Sequence, residues 1–421
     1  MHKKPVPTIY ILSAILIFVL GGFFAWQGGW TQQAKDWLHL LVRWAHVIYG
    51  IAWVGASFYF IFLENSLERK GVRDELAGNL WAIHGGGIYY LEKYKTAPKE
   101  LPKTLHWFKW DAYLTWVTGF LLLVLVYYSN PQATLIDPSV RALSSAAAIA
   151  IAVGSLVTAW GVYVGLSRTR LLYHQGAFGL VGLVLVALAA YLLAHLFSGR
   201  GAFIHVGAML GTIMAGNVLF VIIPSQRRLV AAAQKGAQLD PNQVKYTQLR
   251  SLHNNYLALP VVYTMVSNHF PMTYAPGLNW AILAGLFVAS VAIRHFTNVR
   301  ERGGDVSYLL PVAALIILVV AYVSVPPRKT ASSAPVSFAE AESIIRQRCA
   351  SCHSANPSDT TFVTAPAGAK LDSPQQMAAL APRILERAVL SRDMPLANKT
   401  GMTDEERDIL RRWIQQGAKI N

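Results

Sequence analysis

Hydrophobic positions in this chain gather into long runs, not into the one-face or alternating patterns of a water-soluble domain. Nine runs stand out, roughly at 8–26, 36–64, 110–128, 142–165, 177–197, 202–224, 251–270, 278–297 and 306–325. Each is near the ~20 residues that carry an α-helix across ~30 Å of hydrocarbon, so the pattern predicts nine membrane-spanning helices. The seventh is the most polar: His253, Asn254, Asn255, Pro260, Ser267, Asn268 and His269 all fall within it. The first has long flanks and no small-residue cleavage site, which predicts a retained anchor and not a cleaved signal.

Composition agrees with this pattern. The chain is 54% hydrophobic and only 14% charged, with a mean hydropathy of +0.36. Its net charge of +15 would suit a nucleic-acid binder, but the distribution argues for no nucleic-acid partner. From Ala331 onward there are 11 Lys and Arg against 10 Asp and Glu, so the excess lies in the loops between the apolar runs. With a cytoplasmic N-terminus, the inner stretches hold twenty Lys and Arg, and the outer loops hold only Lys35, Arg141 and Arg200. That asymmetry follows the positive-inside rule. Nine spans then place the C-terminus outside, as expected for a bacterial inner-membrane protein.

Three local features refine the map. Gly161 with Gly165, and Gly207 with Gly211, are spaced for close helix approach. In the long inner loop 65–109, residues 72–83 read as a helix ended by Gly85, Gly86 and Gly87. The same HGGG string at His84 resembles an esterase oxyanion motif, but no GxSxG partner exists. Pro326, Pro327 and a Ser/Ala-rich stretch mark a linker at 326–335. It separates a transmembrane domain, 1–325, from a C-terminal domain, 336–421.

The only two cysteines sit in Cys349-Ala350-Ser351-Cys352-His353, a CxxCH string on a helix predicted from about Phe338. The two thiols can bond to the vinyl groups of a c-type haem (heme c), and His353 can ligate its iron. A zinc half-site is the rival, but no second Cys/His pair follows. A sixth ligand should come from Met377, Met394 or Met402. Met394 lies in Asp393-Met394-Pro395, before a last helix predicted at 403–416. Class I cytochromes c place their axial methionine in such a loop, and residues 336–418 resemble them. Met394 is therefore the first choice and Met402 the second.

Ten further histidines lie in or beside the apolar runs. On the predicted orientation His39, His46, His195, His205 and His269 lie toward the outer side. His84, His106, His174, His253 and His295 lie toward the inner side. His39, Arg43, His46, Gly50 and Trp53 share one helix face. Polar groups in a bilayer are costly and normally turn inward. Any one histidine is explained by bonding a neighbouring helix. Ten together predict that some bind substrate, carry protons or ligate a non-covalent b-type haem (heme b), with His46 and either His205 or His269 as ligands.

Four strings carry a family resemblance: RWAHVIYGIAWVGASFYFIFLE at 43–64, WAIHGGGIYYLEKY at 81–94, LHWFKWDAYLTWVTGF at 105–120 and HNNYLALPVVYTMVSNHFP at 253–271. In their order they resemble the membrane domain of bacterial cytochrome c-linked urate oxidases, and the C-terminal fusion matches too. The resemblance implies oxidation of urate to 5-hydroxyisourate, in purine breakdown. Electrons would pass to the cytochrome without peroxide, and on to a soluble cytochrome c or terminal oxidase. A flat, electron-rich anion needs a cation, amide groups, an aromatic face and a base. Arg250, His253, Asn254, Asn255 and Asp111 supply those types, with Arg43, Trp107 and Trp110 as further candidates.

The sequence thus predicts an all-α protein, a polytopic membrane helix bundle of about nine spans with a small class I cytochrome c domain. Two other readings stay open at this point. One is a quinol-linked b/c electron relay without urate chemistry. The other is a haem or metal transporter with a cytochrome sensor.

Overall fold

The computed structural model describes residues 31–420, apart from 99, 238–239, 276, 326–333, 360–361 and 363. The first apolar run and most of the linker lie outside the described residues. The other eight runs fall on helices: α1 (Thr31–Asn65), α2 (Trp110–Tyr128), α3 (Ser145–Ser167), α4 (Gln175–Ala194), α5 (Gly199–Gln234), α6 (Pro241–Ser267), α7 (Asn279–Glu301) and α8 (Leu309–Ser324). Among the described residues six of these, α1 to α5 and α7, are long and apolar enough to cross a membrane. Helix α6 is too polar at its start, where Asn242, Lys245 and Arg250 lie, and α8 has only 16 residues.

Start signals are local. Ser144 accepts from the Ala147 N–H ahead of α3, and Ser198 accepts from Gly201 ahead of α5. Asp240 caps α6 with Pro241 in its first turn. Each cap satisfies an amide that the helix cannot. Exposed apolar residues recur four apart, as in Leu180, Val184, Leu188 and Leu192 on α4. Such a stripe suits contact with hydrocarbon, not water. Inside the bundle, Ile136, Phe197, Phe203 and Ile282 are almost fully buried.

Of the glycine pairs read as packing faces, only Gly207 makes a close approach. A Cβ there would lie 2.0 Å from Thr264 Oγ1 on α6, whereas Gly161, Gly165 and Gly211 meet no side chain. Gly216 makes an unforeseen approach, since a Cβ would meet the Trp160 ring at 2.6 Å.

The helix expected at 72–83 is a correction. This segment enters a β-hairpin of β1 (Leu76–His84) and β2 (Gly87–Tyr94). Gly85 and Gly86 both have positive φ, 58° and 79°, which a two-residue hairpin turn requires and side chains resist. The register pairs Trp81 with Tyr90 and Ile83 with Ile88, so an alternation of period two was present and overridden by the helical reading. The HGGG string is a hairpin turn, and the fold is not wholly helical.

The C-terminal domain holds α9 (Phe338–Arg348), α10 (Pro374–Ala379) and α11 (Asp404–Gln415). All three open with capping boxes, Ser337/Glu340, Ser373/Gln376 and Thr403/Glu406. Ile345, Met377, Leu410 and Trp413 form its core. The domain lies against the bundle end built from the α2–α3, α4–α5 and α6–α7 connections. Asn398 Nδ2 is 3.4 Å from Ser139 Oγ there.

Candidate functional site

Arg250 lies on α6, ten residues beyond its cap Asp240, and is fully buried in the bundle interior. None of its three guanidinium nitrogens has a hydrogen-bond partner. Its charge rests on aromatic faces instead: Cζ is 4.3 Å from the Tyr163 ring centre, 5.5 Å from Tyr246 and 5.8 Å from Trp160. Cation–π contact offsets part of the desolvation, but five N–H donors stay unsatisfied. Buried charges are normally paired, and a group bringing negative charge or carbonyl oxygens would satisfy this one.

Polar groups surround it in a connected network. The Tyr163 hydroxyl is 2.9 Å from His253 Nδ1 and accepts from Asn217 Nδ2 at 3.0 Å. Asn217 Nδ2 also donates to Asn254 Oδ1 at 2.8 Å, and Asn254 Nδ2 donates to the Met214 carbonyl at 3.0 Å. Asn217 Oδ1 is left buried without a donor. The His253 ring stacks on Phe178, 4.6 Å between centres and 16° between planes. The cluster therefore holds a cation, an unmet amide acceptor and flat aromatic faces.

Of the expected residues, Arg250, His253 and Asn254 come together here, while Asn255 and Asp111 do not. Successive helical residues point about 100° apart, which turns Asn255 toward α7. There its Oδ1 accepts from Arg294 Nε at 3.0 Å and Asn298 Nδ2 at 2.9 Å. Asp111 sits in the first turn of α2, and its carboxylate has no hydrogen bond or ion pair among the described residues. Trp107 packs on Ala112, Val218 and Ile223, and Trp110 is exposed. Tyr163, Asn217, Phe178, Trp160 and Tyr246 were missed. Only Asn217 carried a signal, as a lone amide in the apolar run 202–224. It opens a π-helical turn, Asn217–Ile222, a device often found at functional sites.

The three histidines read as haem ligands differ sharply. His205 is fully buried with both nitrogens engaged: Nδ1 donates to the Gly201 carbonyl at 2.7 Å, and Nε2 receives the Tyr128 hydroxyl at 3.0 Å. It has no lone pair left for a metal and acts as a helix-to-helix bond. His46 and His269 both line one cavity of about 480 Å³ between α1, α2, α5 and α6. No group of three or more His, Cys, Asp or Glu forms a metal cluster among the described residues.

In the C-terminal domain, Cys349 caps the end of α9, so the CxxCH string follows the helix instead of lying on it. Both thiols are free. Burial pushes the Cys349 thiol up to about 12, keeping it protonated. His353 Nδ1 donates to the Ala369 carbonyl at 3.1 Å, which leaves Nε2 free to bind a metal. Met394 is half-buried and packs on the same core as Cys349, whereas Met377 and Met402 are buried within that core. These residues fit a covalently held haem. Met394 also lines a cavity of about 940 Å³ between the two halves of the chain, together with Arg200, Asn268 and His269.

A bundle of apolar helices enclosing an uncompensated guanidinium and an acceptor amide defines a mostly helical, membrane-compatible protein. The chain belongs to the urate oxidase N-terminal family, whose model matches residues 32–325. The family marks it as a urate-related oxidoreductase. No curated protein and no solved structure matches the chain.

Proposed function

We propose that this chain is an integral-membrane urate oxidase that converts urate to 5-hydroxyisourate and delivers the electrons to its own C-terminal c-type haem. The observation that carries the reading is Arg250, buried without any hydrogen-bond partner in a domain of the urate oxidase family. The urate monoanion supplies the charge and carbonyl oxygens that the guanidinium lacks, and its ring N–H groups suit the unmet Asn217 Oδ1. The purine ring matches the aromatic walls.

The reaction balances as urate plus water giving 5-hydroxyisourate, two protons and two electrons. Water supplies the new C–O bond, so dioxygen is not consumed. His253 Nε2 accepts the proton of the attacking water in the tautomer whose Nδ1–H donates to the Tyr163 oxygen. Phe178 and Tyr163 hold that imidazole in place. A c-type haem, if bound, would supply a one-electron acceptor. Cys349 and Cys352 would attach it, and His353 and Met394 would hold its iron.

Nine spans, a cytoplasmic N-terminus and an outer C-terminal domain in a bacterial inner membrane complete the proposal. The C-terminal domain's position supports it, because it packs against the bundle end whose loops are poor in Lys and Arg. A soluble cytochrome c or terminal oxidase would take the electrons onward. The test is anaerobic addition of urate to pure protein while recording the c-haem band. Reduction is expected, and Arg250→Gln should abolish it. Reduction by a quinol but not by urate would select the quinol-linked relay instead.

A further inference from the structure

The distance between the Arg250 cluster and the C-terminal domain poses the question. Arg250 and Asn268 are 18 residues apart on α6 and its cap, about 27 Å along a helix. Asn268 and His269, at the end of α6, line the interdomain cavity with Met394. The 480 Å³ cavity fills the gap. Its inner end reaches Met214, whose carbonyl holds Asn254, and its outer end shares Arg200, Asn268 and His269 with the interdomain cavity.

The lining of that cavity is specific. In a largely apolar wall it holds two imidazoles, His46 and His269, and two guanidiniums, Arg43 and Arg200, with Arg200 at the end shared with the interdomain cavity. The tautomer of His46 follows from its partners. Nδ1 lies 3.0 Å from the Thr115 carbonyl and 3.1 Å from Thr118 Oγ1, whose own proton goes to the Leu114 carbonyl at 2.6 Å. Both are acceptors toward the ring, so Nδ1 carries the hydrogen and Nε2 keeps a free lone pair. A carbonyl-oriented imidazole of this kind is how proteins present histidine to a metal, and His353 has the same arrangement. Glycine makes room for it. A Cβ at Gly119 would lie 2.9 Å from His46 Cε1.

We propose that this cavity binds a non-covalent b-type haem, with His46 as an axial ligand through Nε2, His269 as the second, and Arg43 and Arg200 pairing with the propionates. The volume suits a cofactor-sized ligand. An apolar body with two anionic tails matches a largely apolar space that holds two cations. The relay role rests on the proposed urate chemistry, and each electron would step through the cavity to the C-terminal domain. The binding itself does not depend on urate.

Pyridine haemochrome analysis of the purified full chain tests this without any substrate. Equal amounts of b-type and c-type haem are expected, whereas c-type haem alone at one haem per chain overturns the proposal. His46→Ala should drive the b-to-c ratio toward zero while covalent haem is retained, which shows that the chain still folds and is exported. Gly119→Leu should do the same in a chain that keeps His46, by displacing its ring. His205→Gln should keep both haems. An unchanged b-to-c ratio and spectrum in both His46→Ala and Gly119→Leu would overturn the site. A protein with both haems that urate cannot reduce would leave this proposal standing and remove the urate reading. Reduction by urate with c-type haem alone would do the reverse.

Discussion

The hydroxyl oxygen of Tyr163 on α3 lies 2.9 Å from Nδ1 of His253 on α6. The same oxygen accepts from Asn217 on α5, so one phenol ties three helices around the buried guanidinium. Tyr163 also forms the nearest face of the Arg250 cation–π stack. Loss of this one oxygen therefore disturbs the base and the amide while leaving the aromatic wall.

Tyr163→Phe is expected to slow urate-driven reduction of the c haem and to leave the haem spectrum unchanged. It strands buried partners, so a loss of about 1–3 kcal/mol in stability should accompany it. Stopped-flow reduction and thermal unfolding of the same preparation measure both. Wild-type rates would remove His253 from the chemistry.

Arg250→Met separates function from stability. A lone buried charge is unfavourable, so an apolar replacement of similar length should leave stability unchanged or raise it by about 1–3 kcal/mol. Charge-assisted hydrogen bonds are worth about 1.5–3 kcal/mol each, so urate affinity should fall at least about tenfold. A clear drop in melting temperature would show that the cation is structural.

Met394→Ala should abolish the low-spin His/Met spectrum while covalent attachment survives. Met402→Ala should behave differently. Met402 is 3% exposed, so its loss should destabilise the domain by about 2–5 kcal/mol and keep the ligation. If only Met402→Ala changes the spectrum, the ligand assignment is wrong.

Acid should loosen the C-terminal domain. Hydrogen bonds from Arg411, then the charges of Arg411 and Arg412, hold the Asp408 carboxyl below its ordinary range. Burial pushes Glu406 up, but hydrogen bonds from Arg348 and the Thr403 N–H outweigh it and hold it low. Carboxyls with depressed values stabilise the fold above their unfolded pKa, about 4, and that contribution is lost as pH falls through the folded values. Denaturant midpoints should drop below about pH 4, and less so in Asp408→Asn. A flat profile in the wild type would contradict this.

A reporter fused after Asn421 should be active only outside the cytoplasm, and one fused near Arg73 only inside. The reverse result would invert the map.

Long apolar runs made the helices legible, because length alone distinguishes a spanning helix. The CxxCH string, which carries the haem proposal, was legible because its residues are neighbours in sequence. Contacts made in three dimensions were not. Asn254 and Asn255 are neighbours in sequence, yet only Asn254 joins the Asn217–Tyr163 network, and no pattern said which way that face turns. Tyr163 sits in an apolar run where a tyrosine carries no signal. The π-turn at Asn217 has no sequence signature. Gly85 and Gly86 fit both a helix end and a hairpin turn, and only the pairing of Trp81 with Tyr90 decides between them.

Arg200 and Asn268 meet at the rim shared by the two cavities, with Arg200 Nε donating to Asn268 Oδ1 at 3.2 Å. If the C-terminal domain accepts electrons as proposed, that rim would make it a stopper as well. On the proposed function, the domain beside that rim would stand between the bundle cavity and dioxygen. Cutting the chain at the linker should thus turn a tight coupling into a leak, and a membrane half supplied with urate in air should release peroxide that the intact chain does not.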